Sequence, residues 1–127
     1  MLKIKNVEKS EDFINNLAER LFYFAADVLK FLASLANTPE AKTIRYQLSR
    51  SAGSSGANYE EAQAGSSKAD FINKVRISLR EMKESNYWLR LVRASEVTCN
   101  YKERDRLIDE SRELKAILGA IIQKTRI

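Results

Sequence analysis

Histidine is absent from the 127 residues, and cysteine and proline occur once each. Without histidine there is no Ser-His-Asp or Cys-His catalysis, no histidine zinc site and no Glu-x-x-His di-iron motif. Cys99 alone forms neither an internal disulfide nor a cysteine cluster, and it reads as a small core or surface thiol. No metal and no cofactor is therefore expected. Four glycines and one proline are little turn material, which argues against an all-β sandwich and for a few long helices. No apolar run has transmembrane length, since the longest candidate, 21–36, contains Asp27 and Lys30. The opening MLKIKNVEKS is charged and lacks the apolar core of a secretory signal, so a cytoplasmic protein without membrane contact is expected.

What is present is basic. Twenty-two Lys and Arg against seventeen Asp and Glu leave a formal charge of +5, compatible with an anionic partner. The length predicts a single domain over 1–127, with a basic N-terminal segment at 1–10 that carries Lys3, Lys5 and Lys9.

Four segments show helical periodicity. In 11–36, Phe13, Leu17, Leu21, Phe24, Val28, Phe31, Leu32 and Leu35 recur at three- and four-residue steps, with Asn37 as the stop. The second starts at Thr38-Pro39, a good N-cap followed by proline in the first helical position. Ile44 and Leu48 continue its stripe, but 49–67 (SRSAGSSGANYEEAQAGSS) holds three of the four glycines. Locally this stretch reads as a loop. It reads equally as a helix running to about 63 with a very small surface and a bend near Gly53–Gly56. The third helix, 67–96, begins Ser67-Lys68-Ala69-Asp70, and the fourth, 101–125, follows Asn100-Tyr101-Lys102-Glu103; both openings offer reciprocal capping. Leu107, Ser111, Leu114, Leu118, Ile121 and Thr125 trace the seam of the last helix, which Ile108, Ile117 and Ile122 widen. The sum is an all-α, up-down-up-down antiparallel four-helix bundle.

The third helix says most about function. At 100° per residue, Arg76, Arg80, Lys83 and Arg90 fall within about 40° of one line, with no acid among them. Phe71, Val75, Met82 and Leu89 form the core face opposite. Ile77, Trp88 and Leu91 make a further apolar set, mixed with Glu81 and Glu84. A monomeric bundle helix needs one apolar stripe, so the second one, with its tryptophan, predicts a subunit interface or a broad core face. The cationic face predicts contact with RNA or DNA phosphates, against the plain alternative of a solvated surface. Charge supports the former: residues 11–37 carry −2, residues 68–96 +3 and residues 101–127 +2. No aromatic stacking platform is expected among the cations.

Other motifs carry less. Gly53-Ser-Ser-Gly56 matches the GXXG loop of KH domains but lacks the strands around it, and there is no P-loop. The pairs Glu60/Glu61, Glu81/Glu84 and Glu110/Glu113 read as exposed or ion-paired carboxylates. No catalytic set remains, so an enzyme is not expected. Ala52, Ser54 and Ala57 permit close helix packing, and Asn58 and Glu61, one turn apart, are placed to satisfy each other or cap a neighbouring helix end.

Gln47-Leu48, Arg50, Ala52, Ser54, Gly56-Ala57-Asn58-Tyr59, Glu61-Ala62 and Ala64 form a distinctive central motif. Ala69-Asp70-Phe71-Ile72, Lys74, Glu81, Glu84-Ser85, Tyr87-Trp88-Leu89, Glu110, Glu113-Leu114 and Ile117-Leu118 extend it. In these residues the chain resembles the four-helix bundle proteins known as 23S rRNA intervening-sequence proteins, over about 10–124. It departs from them at Ser55-Gly56, where many members have Ile-Pro. The resemblance implies that 39–63 is helical, that Arg50, Ser54, Asn58, Tyr59 and Glu61 are structural, and that the protein forms a ring-shaped homo-oligomer, a pentamer in relatives. It implies no defined activity. Members are encoded within 23S rRNA genes, and related accessory proteins bind a reverse transcriptase and nucleic acid. Two functions follow as expectations: a nucleic-acid-binding oligomer, or an adaptor whose main partner is another protein, such as a reverse transcriptase.

Overall fold

The structure, a computed structural model, describes residues 6–125 except residue 66, with side chains from Asn16 onward. Four helices follow one another: α1 (Asn6–Leu32), α2 (Pro39–Gln63), α3 (Lys68–Ala94) and α4 (Tyr101–Lys124). Each packs on its chain neighbour, most extensively α2 on α3, and α1 returns to touch α4. The α1–α2 and α3–α4 connections meet at one end: Ala36 N–H donates to Thr98 O at 2.9 Å and Asn100 N–H to Ser34 Oγ at 3.0 Å. An up-down bundle requires that meeting.

The helix starts obey local chemistry in part. Thr38, Ser67 and Asn100 accept from the backbone N–H three residues on, as N-caps. The reciprocal half of the capping box does not appear at Asn100. Its own N–H goes to Ser34, and the Glu103 carboxylate goes to Arg106. The first helix differs from the expected 11–36 at both ends. Residues 6–10 belong to it, while 1–5 lie outside the described residues. It ends at Leu32, before Asn37, where the N–H groups of Ala33, Ser34 and Leu35 donate only three residues back. Arg45 of α2 reinforces this end by donating to the carbonyls of Leu32, Leu35 and Ala36, the closest at 2.8 Å.

The core is the predicted stripe: Leu17, Leu21, Phe24, Val28, Phe31 and Leu32 from α1 and Leu35 just beyond it, with Val75, Met82 and Leu89 from α3, are buried. Phe13 lies outside the described side chains. Phe71 is only partly buried. On α4, Leu107, Ile108, Ser111, Leu114, Leu118 and Ile122 are buried, with Ile117 and Ile121 at the margin.

Residues 49–63 of the glycine- and serine-rich stretch form the second half of α2, a continuous helix. Their small face packs as a helix interface, with Ala52 buried as expected. Ser54 is only half-buried and Ala57 exposed, whereas Ser51, Ser55 and Gly56 are also buried. A ladder of hydroxyls joins α2 to α3. Ser51 and Ser85 pair at 2.8 Å, Ser55 donates to Ser78 O at 2.8 Å, and Ser78 returns the bond to Ser55 O at 2.7 Å. Buried hydroxyls without such partners would cost stability. Toward α1, a Cβ at Gly56 would stand 3.4 Å from both Cβ and O of Leu21, ordinary van der Waals contact, so α1 and α2 approach closely here.

Ion pairs join α1 to α4 at the rim of the core. Arg20 grips Glu110 with two bonds, 2.7 and 3.0 Å, and reaches Glu113 at 2.9 Å. Arg106 bridges Asp27 at 2.8 Å and Glu103 at 2.6 Å. The Arg106 hydrogen bond holds the Glu103 carboxyl below its ordinary value of 4.5. A carboxylate lowered by folding stabilises the fold above its unfolded value and stops doing so as pH falls through the folded one. Arg106→Gln is therefore expected to lower stability by about 0.5 kcal/mol at neutral pH, the scale of a solvated ion pair. The gap between wild type and variant should close below about pH 4.5. Urea midpoints across pH check it; a gap that persists in acid shows that the ion pair is not its source.

Candidate nucleic-acid interface

All four predicted cations, Arg76, Arg80, Lys83 and Arg90, are exposed on α3. Among the described residues Arg76 and Lys83 pair with no carboxylate, and Arg80 comes only within 3.9 Å of Glu81 Oε2. Arg90 is held in place. Its Nε donates to Asn86 Oδ1 at 2.8 Å, and the Asn86 amide donates to Ser111 Oγ at 2.8 Å. Asn86 and Ser111 are both buried, so a polar network in the core fixes one cation on the surface.

The basic face does not stop at α3. The Lys115 ammonium of α4 is pushed below its ordinary value, first by burial and then by Arg90, Arg112 and Lys83. That repulsion shows cations of two helices gathered at one edge. Arg112 is partly neutralised by Asp109 at 3.0 Å. The α4 contribution was not predicted, because periodicity within one helix says nothing about its neighbour. Concentrated positive charge of this kind suits a phosphate backbone.

An aromatic ring also lies on this face: Tyr87 is set among the cations, 49% exposed. Its ring meets Trp88 edge-on at 5.2 Å, and the Arg90 guanidinium sits 5.9 Å from its centroid. Its helical angle, between those of Arg80 and Arg76, was available in the sequence.

The second apolar set divides. Ile77, Trp88 and Leu91 are all half-buried. Trp88 packs against the core and donates Nε1–H to Glu84 at 3.0 Å. Trp88 and Leu91 line a mainly apolar groove of about 660 Å³ with Ile44 and Val97, and Ile77 does not reach it.

Two residues of the central motif make bonds other than those expected. Asn58 donates to Ser54 O at 2.9 Å and Ser54 Oγ at 3.1 Å, not to Glu61. Glu61 pairs with Lys74 of α3 at 2.8 Å. Tyr59 is buried, which raises its phenol above the ordinary value. Arg50 is exposed. Glu81, expected to be exposed or ion-paired, is 9% exposed: its Oε2 comes within 3.9 Å of Arg80, and its Oε1 is buried without a partner. Among the described residues no three acidic or sulfur side chains converge as a metal site, and no helix is long and apolar enough to cross a membrane.

Comparison with known proteins matches one family and solved structures. Residues 15–120 match the 23S rRNA-intervening sequence protein family. A crystal structure from Bacteroides thetaiotaomicron, of a protein of unknown function from the S23 ribosomal protein family, superposes with a TM-score of 0.73 at 32% sequence identity. The match covers 84% of this chain and 97% of that one. No curated relative matches.

Proposed function

The chain belongs to the 23S rRNA-intervening sequence protein family, and from that premise we propose that it is a non-enzymatic homo-oligomer that binds nucleic acid through phosphate contacts. The observation that carries this reading is the exposed cationic face of α3, continued onto α4 by Lys115. Repetition of the face around a ring, such as a pentamer, would add avidity without new contacts. The test is titration of a labelled RNA in rising salt. Binding at low salt that weakens linearly on a log–log plot supports the reading, as counterion release requires. No binding at low salt removes it, and the adaptor role takes its place. The apolar groove at Trp88 and Leu91 favours that second reading, because it suits a protein partner better than a phosphate.

The oligomer is tested separately. Light scattering is expected to give a mass well above the 14.5 kDa of one chain. Trp88→Ala should weaken assembly and Lys83→Ala should not, since the proposed subunit contact uses the half-buried apolar set of α3. A particle of one chain's mass at micromolar concentration overturns the assembly and leaves the binding question standing.

A further inference from the structure

Among the exposed aromatic side chains of the described residues, Tyr87 is the one set within the cationic face of α3. Tyr101 has Arg104 at 5.1 Å, but that guanidinium is already bonded to Asp105 at 2.9 Å. Tyr23 lines an acid-rich groove with Glu19, Asp27 and Glu110. Tyr87 has Lys83 one turn before it and Arg90 one turn after it, on the same side of the helix. Arg90 reaches the ring and is anchored from behind by buried Asn86. A half-open ring between two cations offers two contacts at once. The phenol face takes a base, and Lys83 and Arg90 take the flanking phosphates.

We propose that Tyr87 is a stacking platform that makes this face selective for unpaired nucleotides, a single strand or a loop, over a paired duplex. This rests on the phosphate-binding reading above and deepens it. The reason is geometric: in a duplex the base faces are covered by their neighbours, and only the backbone is left for α3 to touch. In a single strand every base has a face to give, whatever its identity, so the preference is for strandedness and not for sequence. Base stacking on an aromatic side chain is lost when the ring is removed, whereas phosphate contacts are not.

The experiment compares wild type, Tyr87→Phe and Tyr87→Ala on three labelled probes of one sequence: single-stranded RNA, single-stranded DNA and the RNA duplex. Wild type is expected to favour the single strands. Tyr87→Ala should lose about 5- to 100-fold on them, with the duplex and the salt slope unchanged, and Tyr87→Phe should retain them. The RNA and DNA arms differ only if the 2′-hydroxyl is read; binding of either supports the platform. Trp88, the only tryptophan, touches Tyr87 edge-on, so its fluorescence should change on single-strand binding and not on duplex binding. Circular dichroism is expected to be unaltered, because Tyr87 is half-exposed. A wild-type preference for duplex, or a Tyr87→Ala loss equal on all three probes, overturns the platform while the basic face survives. Absence of binding to every probe overturns both.

Discussion

Replacing Arg76, Arg80 and Lys83 together by Glu is expected to lower affinity for RNA at low salt by at least about 100-fold, with the log–log salt slope reduced by about three. Each reversal removes a phosphate partner and installs a repulsion. All three side chains are exposed, so the helix and its packing should persist. The triple change takes the formal charge from +5 to −1, which alone would weaken any polyanion contact. The control reverses Lys42, Lys102 and Lys124 instead, which are exposed on other helices and carry the same total charge change. Loss confined to the α3 variant locates the contact. Equal loss in both variants means that net charge, not this face, drives binding.

Leu21→Ala is expected to cost about 3–5 kcal/mol, the upper part of the range for buried leucines. Leu21 is fully buried in the apolar core shared by the four helices, and removing its side chain leaves a cavity there. Leu29→Ala, on the same helix but 59% exposed, should change stability by less than about 0.5 kcal/mol. Urea denaturation of both variants at one protein concentration checks the contrast. A loss near 1 kcal/mol for Leu21→Ala would show that the core closes around the gap.

Much of the bundle was readable in the chain, because its helices obey signals carried within a few residues. The apolar stripe from Leu17 to Leu35 and the cap at Thr38 are of that kind. What the sequence hid depends on distant partners. Residues 49–67 look like a loop because their hydroxyls find acceptors on α3, twenty-three residues away for Ser55 and Ser78. The turn after α1 takes hydrogen bonds from Arg45 of the next helix. The burial of Glu81 is likewise a property of the packed bundle and not of its neighbours in sequence. The four cations of the candidate site were legible from helical angle alone. Their extension to Lys115 was not, since it requires knowing which faces of α3 and α4 adjoin. Tyr87 was legible too, since its helical angle falls between those of Arg76 and Arg80.

The hydroxyl ladder between α2 and α3 fixes register. Leucine against leucine tolerates a slide of one turn, since one methyl packs much like another. Ser55 and Ser78 do not, because each gives its proton to the other's carbonyl. A displaced alignment would strand donors in a dry interface, at about 1–3 kcal/mol for each. Two rungs thus work as a ruler with discrete marks, and alanines in their place would pack while permitting several alignments. The mark chosen decides how far along α2, and at what rotation, α3 comes to rest. It thereby determines which part of the molecule carries Arg76, Arg80 and Lys83.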